Sequence, residues 1–209
     1  MKHGRDSLPP ILEILIPSIP ERAAFFLPRL LRVLDPQIAA SRGRANRIVD
    51  VSASEDNGGY PIGARRNQLV NAATAKYTVF IDDDDLVSVD YVPLILAAID
   101  RGHVAYTDGP DVIGIEGLKI NEDGKTERII QSLQFHTRSF RTGAWLSYPT
   151  HLNPVRLEIA AVTPFPTISF GEDGQYSKAL RPKLKTEVVA SKRPIYFYEY
   201  RKIKKEKIK

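Results

Sequence analysis

Four consecutive aspartates, Asp82 to Asp85, follow directly on an apolar run near the middle of the chain. The run, Tyr77 to Ile81, is β-branched and aromatic and has no polar face, which is typical of a strand covered on both sides. Four carboxylates at the end of a buried strand repel one another strongly unless positive charge lies nearby. The pattern predicts an α/β fold, in which ligand sites lie at the carboxyl ends of strands.

The aspartate cluster also predicts a site for a metal ion and phosphate groups. Hard divalent cations such as Mg²⁺ and Mn²⁺ prefer oxygen ligands and often share them with substrate phosphates. The alternative interpretation is a solvated acidic turn, because most acidic runs are only that. The buried strand in front of the cluster favours the metal site.

Length and composition are those of an ordinary globular protein. The chain has 209 residues, 43% of them hydrophobic and 26% charged, which fits one domain with a sizeable core. It has no apolar stretch long enough for a membrane span, and we expect no secretory signal. The absence of cysteine excludes disulfides, thiol nucleophiles and cysteine-ligated zinc, and it fits a reducing compartment. We therefore expect a cytoplasmic protein.

The net charge of +5 is unevenly distributed. A basic run, Lys202 to Lys209, follows the aromatic segment Tyr196 to Tyr200 at the end of the chain. Such a tail is either solvated or a contact for a polyanion or an anionic membrane surface. The tail alone does not choose between these roles.

Strand and helix patterns alternate through the first half of the chain. The expected elements are strands at 11–16, 47–51 and 77–81 and helices at 21–34, 62–75 and 88–99. Pro28 must start, kink or split the first helix, and Ser88 is expected to cap the third. This alternation predicts a right-handed, mainly parallel, Rossmann-like central sheet with flanking helices.

The second half has a mixed pattern. A strand is expected at 104–107, and two arms of a hairpin at 112–120 and 126–133 enclose the turn Asn121 to Lys125. An irregular segment follows, and a short helix is expected from Gly171 to Leu180. We expect one domain, 1–209, with a front half at about 11–105, a second half at about 106–182 and a basic extension at 183–209.

Four short motifs occur in a set order along the chain. They are Ile14 to Arg22, Arg65-Arg66-Asn67, the Asp-x-Asp-Asp pattern of Ile81 to Asp85, and Phe170-Gly171-Glu172-Asp173. In this order they resemble the family-2 glycosyltransferases, which have the GT-A fold and use nucleotide-diphosphate sugars. The likeness runs through roughly residues 11–182 and is strong only at these motifs. It implies that the front half binds the nucleotide sugar and the second half binds the acceptor.

The resemblance assigns donor contacts to particular side chains. Arg22 would flank the nucleotide base, and Asp56 would lie in the turn that contacts it. Arg66 would approach the nucleotide or pyrophosphate region, and Ser18 is a further candidate for donor binding. The family's second strand commonly ends in adjacent aspartates, whereas Val51-Ser52 stands at that place here. Asp50 and Asp56 are the candidates to replace them, so the nucleobase stays open, with a UDP-sugar favoured.

The four aspartates receive different roles by the same resemblance. Asp82 would hold the ribose or a metal-bound water, and it is also a metal candidate. Asp84 would be the principal ligand of Mn²⁺ or Mg²⁺. Asp83 would assist donor binding, and Asp85 is expected to pair with a nearby arginine.

The resemblance makes Asp173 the catalytic base and lets Glu172 orient it or the acceptor. The chemistry requires such an arrangement: a metal stabilises the departing diphosphate, and a base on the opposite face of the sugar takes the proton of the attacking hydroxyl. Asp84 and Asp173 come from distant segments, as this geometry demands, and in-line displacement inverts the anomeric carbon. The alternative role of Asp173 is the N-cap of its helix. The expected activity is hexosyl transfer.

Three further side chains are candidates for ligand contacts. His151 is a candidate for metal or acceptor binding, although a lone histidine is more often structural. Trp145 and Tyr148 suit stacking on a sugar or a base, with core packing as the alternative for at least one of them.

Other functions stay open at this stage. A nucleotidyltransferase also uses paired carboxylates around metals. A basic nucleic-acid-binding protein without catalysis would explain the excess positive charge, although no known nucleic-acid-binding motif occurs. A glycan, a small molecule or modified DNA would each serve as the hydroxyl acceptor.

Overall fold

The structure is a computed structural model that describes residues 9–200. Its α-helices are α1 Pro20–Ala40, α2 Ile62–Ala72, α3 Tyr91–Ala105, α4 Leu157–Ala161 and α5 Glu172–Leu180. Its strands are β1 Leu12–Ser18, β2 Ala45–Val51, β3 Tyr77–Phe80, β4 Leu86–Val87, β5 Val112–Ile120, β6 Thr126–Gln131, β7 Ser139–Arg141, β8 Ala144–Ser147, β9 Val155–Arg156, β10 Glu187–Val189 and β11 Tyr196–Glu199.

The first three strands form a parallel unit. β1 lies between β2 and β3 and runs parallel to both, with Leu12 opposite Ala45 on one side and Tyr77 on the other. The carboxyl ends of all three strands therefore meet at one edge of the sheet. This confirms the Rossmann-like front half that the alternating pattern predicted.

The rest of the sheet is mixed. β9 joins β3 to β5 in antiparallel fashion, and β5 and β6 form the predicted hairpin. β8 and β7 continue the sheet beyond β6. Within residues 9–200 the strands form one 11-stranded sheet, so the α/β fold with a mixed second part is confirmed.

The central strand β1 divides the core into two layers. All seven of its residues are buried, and successive side chains of a strand point to opposite faces. Ile14 and Ile16 pack with α1 and α3, whereas Leu15 packs with α2 and α5. Burial on both faces explains why the strand is a continuous apolar run rather than an alternating one.

Two element predictions are wrong at their boundaries. α1 continues through Pro28 and on to Ala40, because the buried Leu30 and Leu34 fix this helix against the sheet. The third helix begins at Tyr91, and the Ser88 hydroxyl donates to Asp90 Oδ1 instead of capping the helix. α3 then continues to Ala105, where the sequence predicted the start of a strand.

The end of the described chain belongs to the sheet. Residues 183–200, which sequence analysis assigned to a basic extension, contain β10 and β11, and both pair with β5 in parallel. The basic run 202–209 lies outside the described residues. Between residues 9 and 200, no helix is long and apolar enough to cross a membrane.

Candidate active site

The four aspartates alternate between the protein interior and a cleft. Asp83 and Asp85 are buried, whereas Asp82 and Asp84 are partly exposed. Asp83 accepts a 2.5 Å hydrogen bond from the Ser18 hydroxyl and forms an ion pair with Arg22. The Nη2 of Arg22 also lies 2.7 Å from Asp84 Oδ1. Burial is the main cause that raises the pKa of Asp83. The end of β1 and the start of α1 thus hold two of the four acids.

Among residues 9–200, Asp85 has no arginine partner, so the predicted pairing with a nearby arginine is wrong there. Its Oδ2 accepts a 2.6 Å hydrogen bond from the Tyr196 hydroxyl, and its Oδ1 accepts one of 3.0 Å from the Glu199 backbone N–H. Burial and the neighbouring charge of Asp82 raise the pKa of Asp85 to about 8. A protonated carboxyl removes the need for a cation at this position.

A buried arginine joins the aspartate cluster to Glu172, the residue that directly precedes the predicted base. Arg66, on α2, donates from Nη1 to Glu172 Oε1 at 2.5 Å and from Nη2 to Asp82 Oδ1 at 2.8 Å. Its guanidinium lies over the rings of Phe80 and Phe165. Burial is the largest single influence on the pKa of Asp82 and would raise it, but Arg66 and His151 together more than offset burial, so that this pKa is lowered.

His151 lies beside Asp82 without a hydrogen bond. Its Nε2 is 3.7 Å from Asp82 Oδ2, and among the described residues neither ring nitrogen has a hydrogen-bond partner. Burial, followed by the charge of Arg66, lowers the pKa of His151. A neutral imidazole with free nitrogens is the form that binds a metal or a hydroxyl group.

Two neighbouring cavities open on this cluster. The smaller, about 280 Å³, collects Ser18, Arg22, Arg65 and the acids 82–84, and we call it the donor cavity. The larger, about 600 Å³, contains His151 and Asp173, and we call it the acceptor cavity. Arg66, Asp82 and Tyr198 line both.

Asp173 faces the acceptor cavity from the first turn of α5. The N-cap of this helix is Gly171, with φ 80°, so the N-cap alternative for Asp173 is wrong. Asp173 Oδ1 accepts a hydrogen bond from the Gly174 N–H at 2.7 Å. Glu172 points to Arg66 instead, which ties the start of α5 to the aspartate cluster.

Of the remaining sequence candidates, Trp145 alone lines one of the two cavities. Trp145 lines the acceptor cavity, while the ring of Tyr148 is buried beside the guanidinium of Arg138. Asp56 is exposed on a short turn and lines neither cavity, so its contact with a nucleotide stays a prediction. Asp50, the other candidate, is held by Arg65 at 3.0 Å.

The carboxylates fit one kind of metal site only. Across residues 9–200 no group of three or more His, Asp or Glu side chains is placed to hold a metal ion. Mg²⁺ in nucleotide sites is commonly bound by one or two carboxylates and completed by water and substrate phosphates. Asp82 and Asp84, both facing the donor cavity, fit a site of this kind.

Sequence reasoning missed two residues of the site. Arg65 was read only as part of its motif, yet it is buried, and its Nη2 donates to the Ser18 carbonyl. Tyr198 lies in the segment that was grouped with the basic tail. Tyr198 follows the buried Tyr196 by two residues, which is the spacing of side chains on one face of a strand. This spacing is the sequence signal that indicates β11.

Comparisons with known proteins bear on the family and the fold of this chain. The model of the family described as "Glycosyl transferase family 2" matches residues 45–155, which is more than half of the chain. No curated protein matches the sequence. Among solved structures, a fragment of S. aureus TarS, residues 1–349, is similar over 90% of this chain and 60% of its own, with 18% identity and a TM-score of 0.61.

Two ligand-bound structures of the same fragment are also similar to this chain. With UDP-GlcNAc it has a TM-score of 0.61 at 15% identity, and with UDP a TM-score of 0.60 at 17% identity. The similarity to the UDP-GlcNAc complex extends over 91% of this chain and 59% of the fragment. The similarity to the UDP complex extends over 90% of this chain and 60% of the fragment. At such identity the likeness shows the fold, and the chain spans about three fifths of these solved fragments.

Proposed function

Because the chain belongs to glycosyl transferase family 2, we propose that it moves a hexosyl group from a nucleotide-diphosphate sugar to an acceptor hydroxyl with inversion. A UDP-sugar is the favoured donor, since the TarS fragment is similar with UDP-GlcNAc or UDP bound to it. The observation that carries the proposal is the meeting of two cavities at Arg66, Asp82 and Tyr198. The carboxylates of one cavity and Asp173 of the other lie on either side of that junction.

The donor cavity suits a diphosphate bound together with a cation. Asp84 and Asp82 would hold Mn²⁺ or Mg²⁺, whereas His151 lines the acceptor cavity and, among the described residues, does not form a three-ligand group with them. When bound, the metal would act as a Lewis acid that stabilises the departing diphosphate. Arg22 and Arg65 add positive charge to the same cavity and would bind the donor's anionic oxygens.

The acceptor cavity supplies the base. The acceptor oxygen forms a bond to the anomeric carbon while the bond to the diphosphate breaks, the diphosphate leaves with the electron pair, and Asp173 takes the hydroxyl proton. Because the base and the leaving group are on opposite faces of the sugar, the anomeric configuration inverts. Glu172, fixed by Arg66, would keep the first turn of α5 in position for this step.

The proposal is tested by Asp173→Asn with Asp100→Asn as a control. Asn keeps the shape but cannot accept the proton, so transfer should fall about 10²- to 10⁴-fold. Asp100, which is exposed on α3 and paired with Arg44, lies outside both cavities, and its variant should keep full transfer. Full transfer by Asp173→Asn would contradict the proposed base, and an NMR spectrum of the product would report retention or inversion.

Donor binding is tested separately by thermal shift. UDP with Mn²⁺ should stabilise the protein, by about 2.7 kcal/mol at a ligand concentration one hundred times the Kd. Neither UDP nor Mn²⁺ alone should do so to the same extent. Equal stabilisation by UDP in the presence of EDTA would argue against the metal.

The distribution of charge bears on the nucleic-acid alternative. Of the 30 Lys and Arg and the 25 Asp and Glu, eight basic and two acidic residues lie at 1–8 and 201–209. The described part therefore carries no excess of positive charge. The net charge of this part therefore does not favour nucleic-acid binding by the sheet and its helices.

A further inference from the structure

Two exposed aromatic rings stand in the wall of the acceptor cavity. Trp145 is 41% exposed and Phe170 is 88% exposed, and both line the cavity that contains Asp173. Large apolar side chains exposed together around a cleft often mark a contact site. Because they line the same cavity as Asp173, the proposed catalytic base, we expect the acceptor to cover them.

The indole ring of Trp145 is fixed in place. Its Nε1 donates to Glu127 Oε2 at 2.9 Å, and its ring packs against Phe140 with centroids 5.1 Å apart. The same Glu127 oxygen lies 3.2 Å from Lys119 Nζ. A ring held at its polar edge offers a pre-organised apolar surface, which loses little conformational entropy when a ligand binds.

Phe170 is coupled to the base by sequence. It directly precedes Gly171, the N-cap of α5, and lies three residues before Asp173. The left-handed conformation of Gly171 turns the chain at this point. A ligand that packs on Phe170 is therefore brought to the beginning of the helix that carries Asp173.

Among the described residues that line the acceptor cavity, one cation has no carboxylate partner. Arg66 is paired with Asp82 and Glu172, and Lys119 with Glu127. Arg138 is exposed, lies over the ring of Tyr148, and forms no ion pair with any residue between 9 and 200. Its positive charge is available to a ligand.

We propose that the acceptor is a saccharide that carries an anionic group. Its ring would pack its C–H face on Trp145 and Phe170, and a carboxylate or phosphate would bind Arg138. This inference rests on the proposed function. Aromatic faces also suit nucleobases, but a polynucleotide requires several phosphate contacts, and Arg138 is a single unpaired cation in a part of the chain without excess positive charge.

The chain offers a direct probe of this subsite, because Trp145 is its only tryptophan. Intrinsic fluorescence of the full chain would be titrated with methyl glucoside, methyl glucuronide and glucose 6-phosphate. These probes share the pyranose ring and differ in carrying no charge, a carboxylate or a phosphate. We expect saturable changes, with at least one anionic probe bound about tenfold or more tighter than the neutral one.

Variants separate the two contacts. Arg138→Gln should remove the preference for the anionic probes and leave binding of the neutral probe unchanged. Phe170→Ala should weaken all three, by about two- to tenfold. Arg141→Gln, an exposed arginine on β7 outside the cavity, is the matched control and should behave like the parent protein.

Each failure has a distinct meaning. Equal affinity for neutral and anionic probes, no saturable change with any probe, or tighter binding of a single-stranded oligonucleotide would overturn this inference. If UDP with Mn²⁺ stabilises the protein while the fluorescence test fails, the proposed function stands and only the acceptor class is wrong. If UDP with Mn²⁺ does not stabilise it, the proposed function itself fails.

Discussion

Replacement of Arg66 by methionine should be among the most damaging single changes in the site. The guanidinium is buried and neutralises two carboxylates, Asp82 and Glu172. Glu172 has a side chain that is 9% exposed, so removal of its cation leaves a buried charge without a partner. Loss of one member of such a pair typically costs about 3–5 kcal/mol. Asp82 is 30% exposed, and water offsets most of its loss.

The free energy of unfolding would be measured by urea denaturation at neutral pH. The set would comprise the parent, Arg66→Met, Glu172→Gln and the double variant. The double variant should be more stable than Arg66→Met, because Glu172, the more buried of the two carboxyls, no longer carries a charge without a partner. The matched control is Arg47→Met, since Arg47 holds Asp35 at 2.6 Å in an exposed pair and should cost about 1 kcal/mol or less.

Two outcomes would refute this account of Arg66. A loss below about 1 kcal/mol in Arg66→Met would mean that water already solvates Glu172. Strict additivity of the two single changes in the double variant would mean that Arg66 and Glu172 are not energetically coupled.

Two other predictions concern parts of the fold away from the aspartates. Burial raises the pKa of Glu187, so the folded state holds this proton more tightly than the unfolded state does, and stability should fall as pH rises above about 4.5. Glu187→Gln should remove this contribution, which is at most about 1.4 kcal/mol per pH unit. Urea midpoints of the parent protein and the variant would be measured from acid to neutral pH. If the two midpoints changed with pH at the same slope, the reasoning would be wrong. A methyl group on Gly63 would meet the Pro166 carbonyl oxygen at 1.9 Å, so Gly63→Ala should destabilise the protein by about 1–3 kcal/mol. Gly174 lies in a helix with open space around it, so Gly174→Ala should stabilise the protein by about 0.5–1 kcal/mol. Equal melting temperatures of the two variants would contradict both predictions.

Local patterns predicted much of the fold because they depend on near neighbours. The β5–β6 hairpin follows from two apolar arms around a polar turn, and β1 and β3 follow from their continuous apolar runs. The length of α1 did not follow, because a proline inside a helix is normally disruptive. Pro28 is tolerated on the exposed side of α1 while its neighbours Leu27 and Leu30 are buried, and such packing is a tertiary property.

The site was predictable in its acids and less so in their partners. The order of the motifs indicated Asp82, Asp84 and Asp173 as functional candidates, and the fold brings them to adjoining cavities. Two of the partners come from distant sequence: Arg66 and Glu172 are 106 residues apart, and the hydroxyl donor Tyr196 and Asp85 are 111 apart. With 30 basic residues to choose from, no spacing rule identifies such a pair.

The repulsion among four adjacent aspartates is resolved by the protein itself. Because the side chains alternate, Asp83 and Asp85 turn inward, and Asp82 and Asp84 turn to the cleft. Arg66 neutralises Asp82, and Arg22 lies between Asp83 and Asp84. Asp85 holds a proton because burial raises its pKa to about 8. The fold of the cluster therefore needs no bound cation. A divalent ion becomes favourable when a diphosphate adds negative charge and oxygen ligands, which is why we expect Mn²⁺ to stabilise the protein strongly only together with the nucleotide.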